Sequence, residues 1–264
     1  MTKTAGFALT AFTVLVLAGC SGAPAATESE TPASAPAVSA AATPSASPTP
    51  EPAGWTAPDE CTAIDVSPGA TVSGDELGAC IQTALSSFGT GKETISGAEL
   101  GGEIQFRYTP DFEFQGSLET GDGPVEITFL DGTMWIDSGS GPVKGDAESA
   151  DPDEQMAGIT GELYRVFSDP SFAGDLIAAS PTWTVASAQE SITLANGETV
   201  PATRITSDAP FSWYDLPVQK YAVWFADDWT PVAAEGTASF FGASSTVTQQ
   251  YYDLGEPVEI TPVG

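Results

Sequence analysis

Cys20 is the residue best placed to do covalent chemistry. It ends an apolar run that begins near Ala5, in the stretch Leu17-Ala18-Gly19-Cys20, and is followed at once by Ser21-Gly22 and a polar, proline-rich tract. This arrangement reads as a lipobox. Ala18 and Gly19 are small enough for a signal peptidase pocket, and the Cys20 thiol would take a diacylglyceryl group before becoming the new N-terminus. The mature chain is then expected at the outer face of a bacterial cytoplasmic membrane, held by acyl groups alone, because no later stretch approaches the roughly 18 apolar residues a membrane span needs. An ordinary secretory leader shares the charged start and apolar core, and here only Lys3 supplies the positive charge.

Other chemistry is narrowed by what is missing. The 264 residues contain no histidine, so a Ser-His-Asp or Cys-His triad and a histidine-bound zinc are ruled out. Paired carboxylates survive that exclusion and could serve a cell-wall glycoside hydrolase, with Glu113, Glu119, Asp227 and Asp228 as nominees; solvated strand faces and turn tips explain the same residues. Asp151-Pro152-Asp153-Glu154 lacks the oxygen spacing of a calcium loop and suits a helix start. No catalytic residue, metal or cofactor is expected, and the chain is read as a non-enzyme.

With 7 Lys+Arg against 36 Asp+Glu the formal net charge is −29, a surface that repels phosphate backbones and anionic lipid heads alike. Nucleic acid is therefore excluded as a partner, and charge cannot hold the protein on a membrane. Of three cysteines, acylation of Cys20 leaves Cys61 and Cys80 in an oxidising compartment, an even pair that suggests a disulfide; two separate buried thiols are the alternative.

These groups need elements to position them. Residues 1–19 form the leader and 20–54 a Ser/Ala/Pro/Thr linker unable to bury a core. Residues 55–264 suit one domain. Ser73 and Glu76 have the spacing of a capping box for a helix whose stripe is Leu77, Cys80, Ile81, Ala84, Leu85 and Phe88, ended by Gly89 and Gly91. Alternation then marks strands over 103–108, 112–119, 125–130 and 133–137, with Asp131-Gly132 as a tight hairpin turn. A polar loop is expected over 139–153. Met156, Ile159, Leu163, Val166 and Phe167 mark the buried stripe of a second helix, and a third is expected over 172–178. Strands over 191–194, 199–206, 221–226, 232–241, 245–253 and 258–261 complete the chain, with Asn196-Gly197 as another hairpin turn. The class is α+β, with helices grouped on one side of a long antiparallel sheet.

Val232, Ala234, Gly236, Ala238 and Phe240 share one face with small residues at its centre. Either a helix packs tightly there or an apolar cavity remains between sheet and helices. In the second case the lining is expected from Ile104, Phe106, Tyr108, Phe114, Leu118, Ile127 and Phe129 on the early strands, Met156, Leu163 and Phe167 on the middle helix, and Val223, Ala234, Ala238 and Phe240 on the late strands.

Three stretches carry a resemblance: Phe129-Leu130-Asp131-Gly132-Thr133-Met134-Trp135, Tyr221-Ala222-Val223-Trp224-Phe225, and the terminal Tyr252-Asp253-Leu254-Gly255-Glu256-Pro257-Val258. With the lipobox, linker and element order, the layout resembles the LppX/LprG-type family of actinobacterial lipoproteins from about Leu77 onward. That resemblance implies a curved half-barrel, similar to LolA-type carriers, with helices on its concave face. It also implies a monomer whose apolar pocket carries or retains a lipid or glycolipid in the cell envelope. The Cys61/Cys80 pair and the acidic segment ahead of the domain depart from the family pattern. A surface adaptor that binds a protein partner and no lipid is the other reading.

Overall fold

The structure, a computed structural model, describes residues 55–98, 100–240 and 243–263, so Cys20 and the linker lie outside the described residues. A one-turn helix α1 (Asp59–Thr62) and a short strand β1 (Thr71–Ser73) lead into helix α2 (Gly74–Phe88). Leu77, Cys80, Ile81, Ala84, Leu85 and Phe88 are all buried on α2, the stripe its periodicity predicts. The capping box does not form. Ser73 makes no side-chain cap because it pairs with Thr182 in the sheet, and Gly74 N donates to Pro181 O instead. Cys61 and Cys80 form a disulfide that joins α1 to the buried face of α2.

Six strands follow: β2 (Thr90–Gly97), β3 (Leu100–Arg107), β4 (Glu113–Thr120), β5 (Gly123–Leu130), β6 (Thr133–Asp137) and the two-residue β7 (Val143–Lys144). Asp131 and Gly132 take φ of 52° and 70°, which closes the β5–β6 hairpin as their types predict. Helices α3 (Pro152–Ser168) and α4 (Pro170–Ala178) come next. The chain then returns through β8 (Thr182–Val185), β9 (Glu190–Thr193), β10 (Thr199–Ser207), β11 (Phe211–Trp213), β12 (Leu216–Phe225), β13 (Pro231–Phe240) and β14 (Ala243–Tyr252).

The fold is α+β. All pairings are antiparallel, and the strands run β1-β8-β10-β12-β13-β14-β2-β3-β4-β5-β6-β7 as one open, curved sheet, with β9 attached to β10 and β11 to β12. Helices cover its concave face, and a single core cluster reaches from Val72 and Trp183 near one end to Ile136 near the other. Helix α4 lies against α2, where glycines permit the approach: a Cβ on Gly78 would stand 2.5 Å from Gly174 O. A smaller cluster, including Leu194, Trp224 and Tyr252, forms on the opposite side of the late strands.

Some strands have no counterpart among those expected, and one expected strand does not form. Strand β2 joins the early and late halves of the sheet, yet its inward residues are Gly91, Glu93 and Ile95, two of which carry no apolar signal. Residues 258–261 form no strand. Thr261 N instead donates to Gln115 Oε1 at 3.2 Å, and Gln105 Nε2 donates to Glu259 O, so side chains of β3 and β4 hold the tail.

Candidate functional site

Over its N-terminal turns helix α3 presents the opposite face from the one its pattern predicts, while Val166 and Phe167 of the same expected stripe are half-buried. Met156, Ile159 and Leu163 are 62%, 55% and 54% exposed, while Ala157, Gly158, Gly161, Tyr164 and Ser168 are buried. Backbone proximity accounts for this. A Cβ on Gly161 would stand 2.2 Å from Met134 Cγ, and one on Gly158 would stand 2.3 Å from Ala147 N. Only a face of small residues allows the helix to lie this close to β6 and the segment after β7. Asp151 caps the helix through Asp153 N at 2.9 Å, which is the role of that acidic run.

An apolar cavity of about 180 Å³ lies between α3, α4 and strands β11–β14. Leu163 and Phe167 line it from α3, Phe172 and Leu176 from α4, and Trp213 and Ala238 from the sheet. The small residues on β13 have different roles. At Gly236 the missing side chain is replaced by Tyr221, whose ring carbon would be 2.8 Å from a Cβ there, whereas Ala238 faces open space. Val232 does not share their face. A register shift pairs Trp224 with Ala233 and Phe225 with Pro231, so Val232 is the extra residue of a bulge and packs in the smaller cluster.

Of the residues expected to line a cavity, the structure brings Leu163, Phe167 and Ala238 together. Val223 and Ala234 lie deeper, behind Tyr221, around a gap of only about 10 Å³. Ile104, Phe106, Phe114, Leu118 and Ile127 are at most 1% exposed and belong to close-packed core. Tyr108 and Phe129 are half-buried in an aromatic row through Phe112, with the Arg165 guanidinium 5.4 Å from the Phe129 ring centre. Met156 borders a separate open groove with Val125, Ile136 and Tyr164. The Phe240 side chain lies outside the described residues.

Trp213 and Leu216, which line the cavity, are not singled out by pattern. They close a two-residue hairpin in which Tyr214 and Asp215 adopt φ of 46° and 63°, positions usually filled by Gly or Asn, so the turn leaves little trace in the sequence. Tyr214 itself is 73% exposed.

One polar network borders the cavity. Glu93 on β2 is fully buried, accepts from Ser168 Oγ, and accepts from Gln249 Nε2 at 3.2 Å. Gln249 lines the cavity and also donates to Phe167 O at 3.0 Å, tying the end of α3 to the sheet. Burial pushes the Glu93 carboxyl up to about 8, against the lowering effect of its two donors.

The nominated carboxylates do not converge. Glu113 is ion-paired with Arg107, and Glu119 is exposed on the same strand. Asp227 and Asp228 occupy the turn after β12, where Asp228 accepts from Thr230 N at 2.9 Å. The five strand steps from β12 to β4 are about 24 Å along the sheet. Among the described residues no helix is long and apolar enough to cross a membrane.

No protein-family profile matches the sequence, and comparison with curated proteins finds no match. Among solved structures, LprF from Mycobacterium bovis is similar over 73% of this chain and 100% of its own, with 14% identity and a TM-score of 0.43. A LolA superfamily protein, NE2245 from Nitrosomonas europaea, is similar over 69% and 92%, with 12% identity and a TM-score of 0.26. The likeness is one of fold. At these scores it carries nothing about a ligand, and the functional reading rests on the cavity itself.

Proposed function

We propose that this is an exported, acyl-anchored lipoprotein whose folded part holds an acyl chain of a lipid or glycolipid and carries or retains it in the cell envelope. The observation that carries the reading is the apolar cavity between α3, α4 and β11–β14. Its volume of about 180 Å³ slightly exceeds that of an engineered apolar cavity of about 150 Å³ that stays dry and admits benzene. It is smaller than the roughly 300–1,000 Å³ of sites that enclose a drug-sized ligand. The cavity therefore suits a length of one chain and not a whole lipid, with the remainder lying outside it. The lipobox at Cys20 supports the anchor, and the acidic composition assigns retention at the membrane to that anchor and not to charge.

Native mass spectrometry and organic extraction of the protein purified from a bacterial host test this. Lipid at a fixed stoichiometry, removed by extraction and recovered on incubation with lipid vesicles, is the expected result. Protein that is empty and takes up none would overturn it. The exposed Met156, Ile159 and Leu163 stripe favours one other reading, a surface adaptor that binds a protein partner through α3. An empty, fully folded domain is what that reading requires.

A further inference from the structure

One row of side chains on α3 is divided between the cavity and bare surface. Met156, Ile159, Leu163, Val166 and Phe167 recur at helical spacing and so lie along one face. Its C-terminal members, Leu163, Val166 and Phe167, line the apolar cavity. Its N-terminal members have no cover: Met156 is 62% exposed and Ile159 55%, and Leu163, although part of the cavity wall, is itself 54% exposed. Among the described residues five large apolar side chains are exposed and three of them stand in this row, so their exposure belongs to the face and is not scatter. Cavity wall and bare surface join at Leu163.

The uncovered part of the row has a length and a width. From Leu163 to Met156 it runs seven positions (163 minus 156), about 10 Å at a helical rise of roughly 1.5 Å. Gln155 and Glu162, both exposed, border it at helical spacing, which keeps it one side chain wide. It ends at the open groove that Met156 shares with Val125 and Ile136. The bordering carboxylate and a net charge of −29 set this face against an anionic bilayer. So narrow a row is also far short of the roughly 800 Å² that each partner gives to a stable protein complex. An extended hydrocarbon chain matches it in width and polarity, and the cavity supplies one, because its volume takes a length of chain and leaves the rest outside.

We propose that the part of a bound acyl chain left outside the cavity lies along the Leu163, Ile159 and Met156 row of α3, so that the helix carries an open track continuing the cavity toward the groove at Met156. This rests on the lipid-binding reading above. The test is equilibrium binding of radiolabelled methyl octanoate and methyl palmitate, supplied on cyclodextrin to the full chain, in wild type and in the Met156→Ser/Ile159→Ser variant, which changes exposed side chains only. Only the long ester has chain to spare for the row. Wild type is expected to hold the long ester about a hundredfold more tightly than the short one, and the variant to lose about tenfold of that affinity while its affinity for the short ester is unchanged. Equal affinity of wild type for the two esters, or a variant that loses both alike, would overturn the proposal and leave the cavity reading standing. A variant that keeps the long ester at full strength would also overturn it and give the row to a membrane or protein surface. Binding of neither ester by wild type would overturn both readings.

Discussion

Glu93 and Gln249 meet across the seam between the two halves of the sheet, with Gln249 Nε2 3.2 Å from a Glu93 carboxyl oxygen and the Glu93 side chain wholly out of contact with water. Burial holds that carboxyl near 8, against an ordinary value of 4.5, so the folded protein keeps a proton that the unfolded chain releases. Stability from this group is complete below about pH 4.5, is lost as pH rises toward about 8, and levels off above it. The expected slope is at most about 1.4 kcal/mol per pH unit. Thermal unfolding across that range, compared with Glu93→Gln, isolates the contribution from the general charge repulsion of an acidic protein. The wild-type midpoint should fall more steeply with pH than that of the variant, and parallel curves would show that Glu93 does not titrate in the window.

The two faces of α3 should respond oppositely to substitution. Leu163→Ser or Ile159→Ser changes an exposed side chain and should stay within about 0.5 kcal/mol of wild type in urea unfolding. Gly161→Val pushes a branched side chain into Met134 and should cost about 1–3 kcal/mol or more. The reverse order of effects would mean that the large apolar stripe is the packed one.

Ala238→Trp should fill the cavity from the sheet side and abolish lipid uptake while the domain keeps its circular dichroism and unfolding cooperativity, since the added ring enters existing space. Uptake that is unchanged in a folded variant would place the ligand elsewhere.

The disulfide closes a loop with a sequence separation of 19, and in the chain-entropy model that is worth about 3 kcal/mol. A Cys61→Ala/Cys80→Ala double variant should lose about that much in denaturant unfolding. Wild type under reductant should match it, and an unaltered midpoint in both would mean that α1 and α2 are held by packing alone.

Much of the architecture was legible from local pattern. The α2 stripe, the Asp131-Gly132 and Asn196-Gly197 turns and the alternation of β3 to β6 each depend on neighbours within a few residues, and each is present where its pattern places it. Strand β2 was hidden because its inward side carries Gly91 and Glu93, and a carboxyl facing a core looks like a solvated one until Ser168 and Gln249 are brought to it. The Trp213–Leu216 turn was hidden because non-glycine residues adopt its left-handed angles.

The candidate site divides along the same line. Sequence by itself determined the antiparallel α+β class, the paired Cys61 and Cys80, and small residues at the middle of β13, because residue type and short spacing govern these. Tertiary structure alone decided which surface of α3 faces inward and which apolar residues surround open space. A helix with large residues on one side and glycines on the other can bury either: the first removes more apolar area from water, the second lets backbones come closer. Only the positions of Met134, Ala147 and Tyr221 settle that balance, leaving Leu163 and Phe167 at a cavity while Phe106 and Phe114 are packed shut.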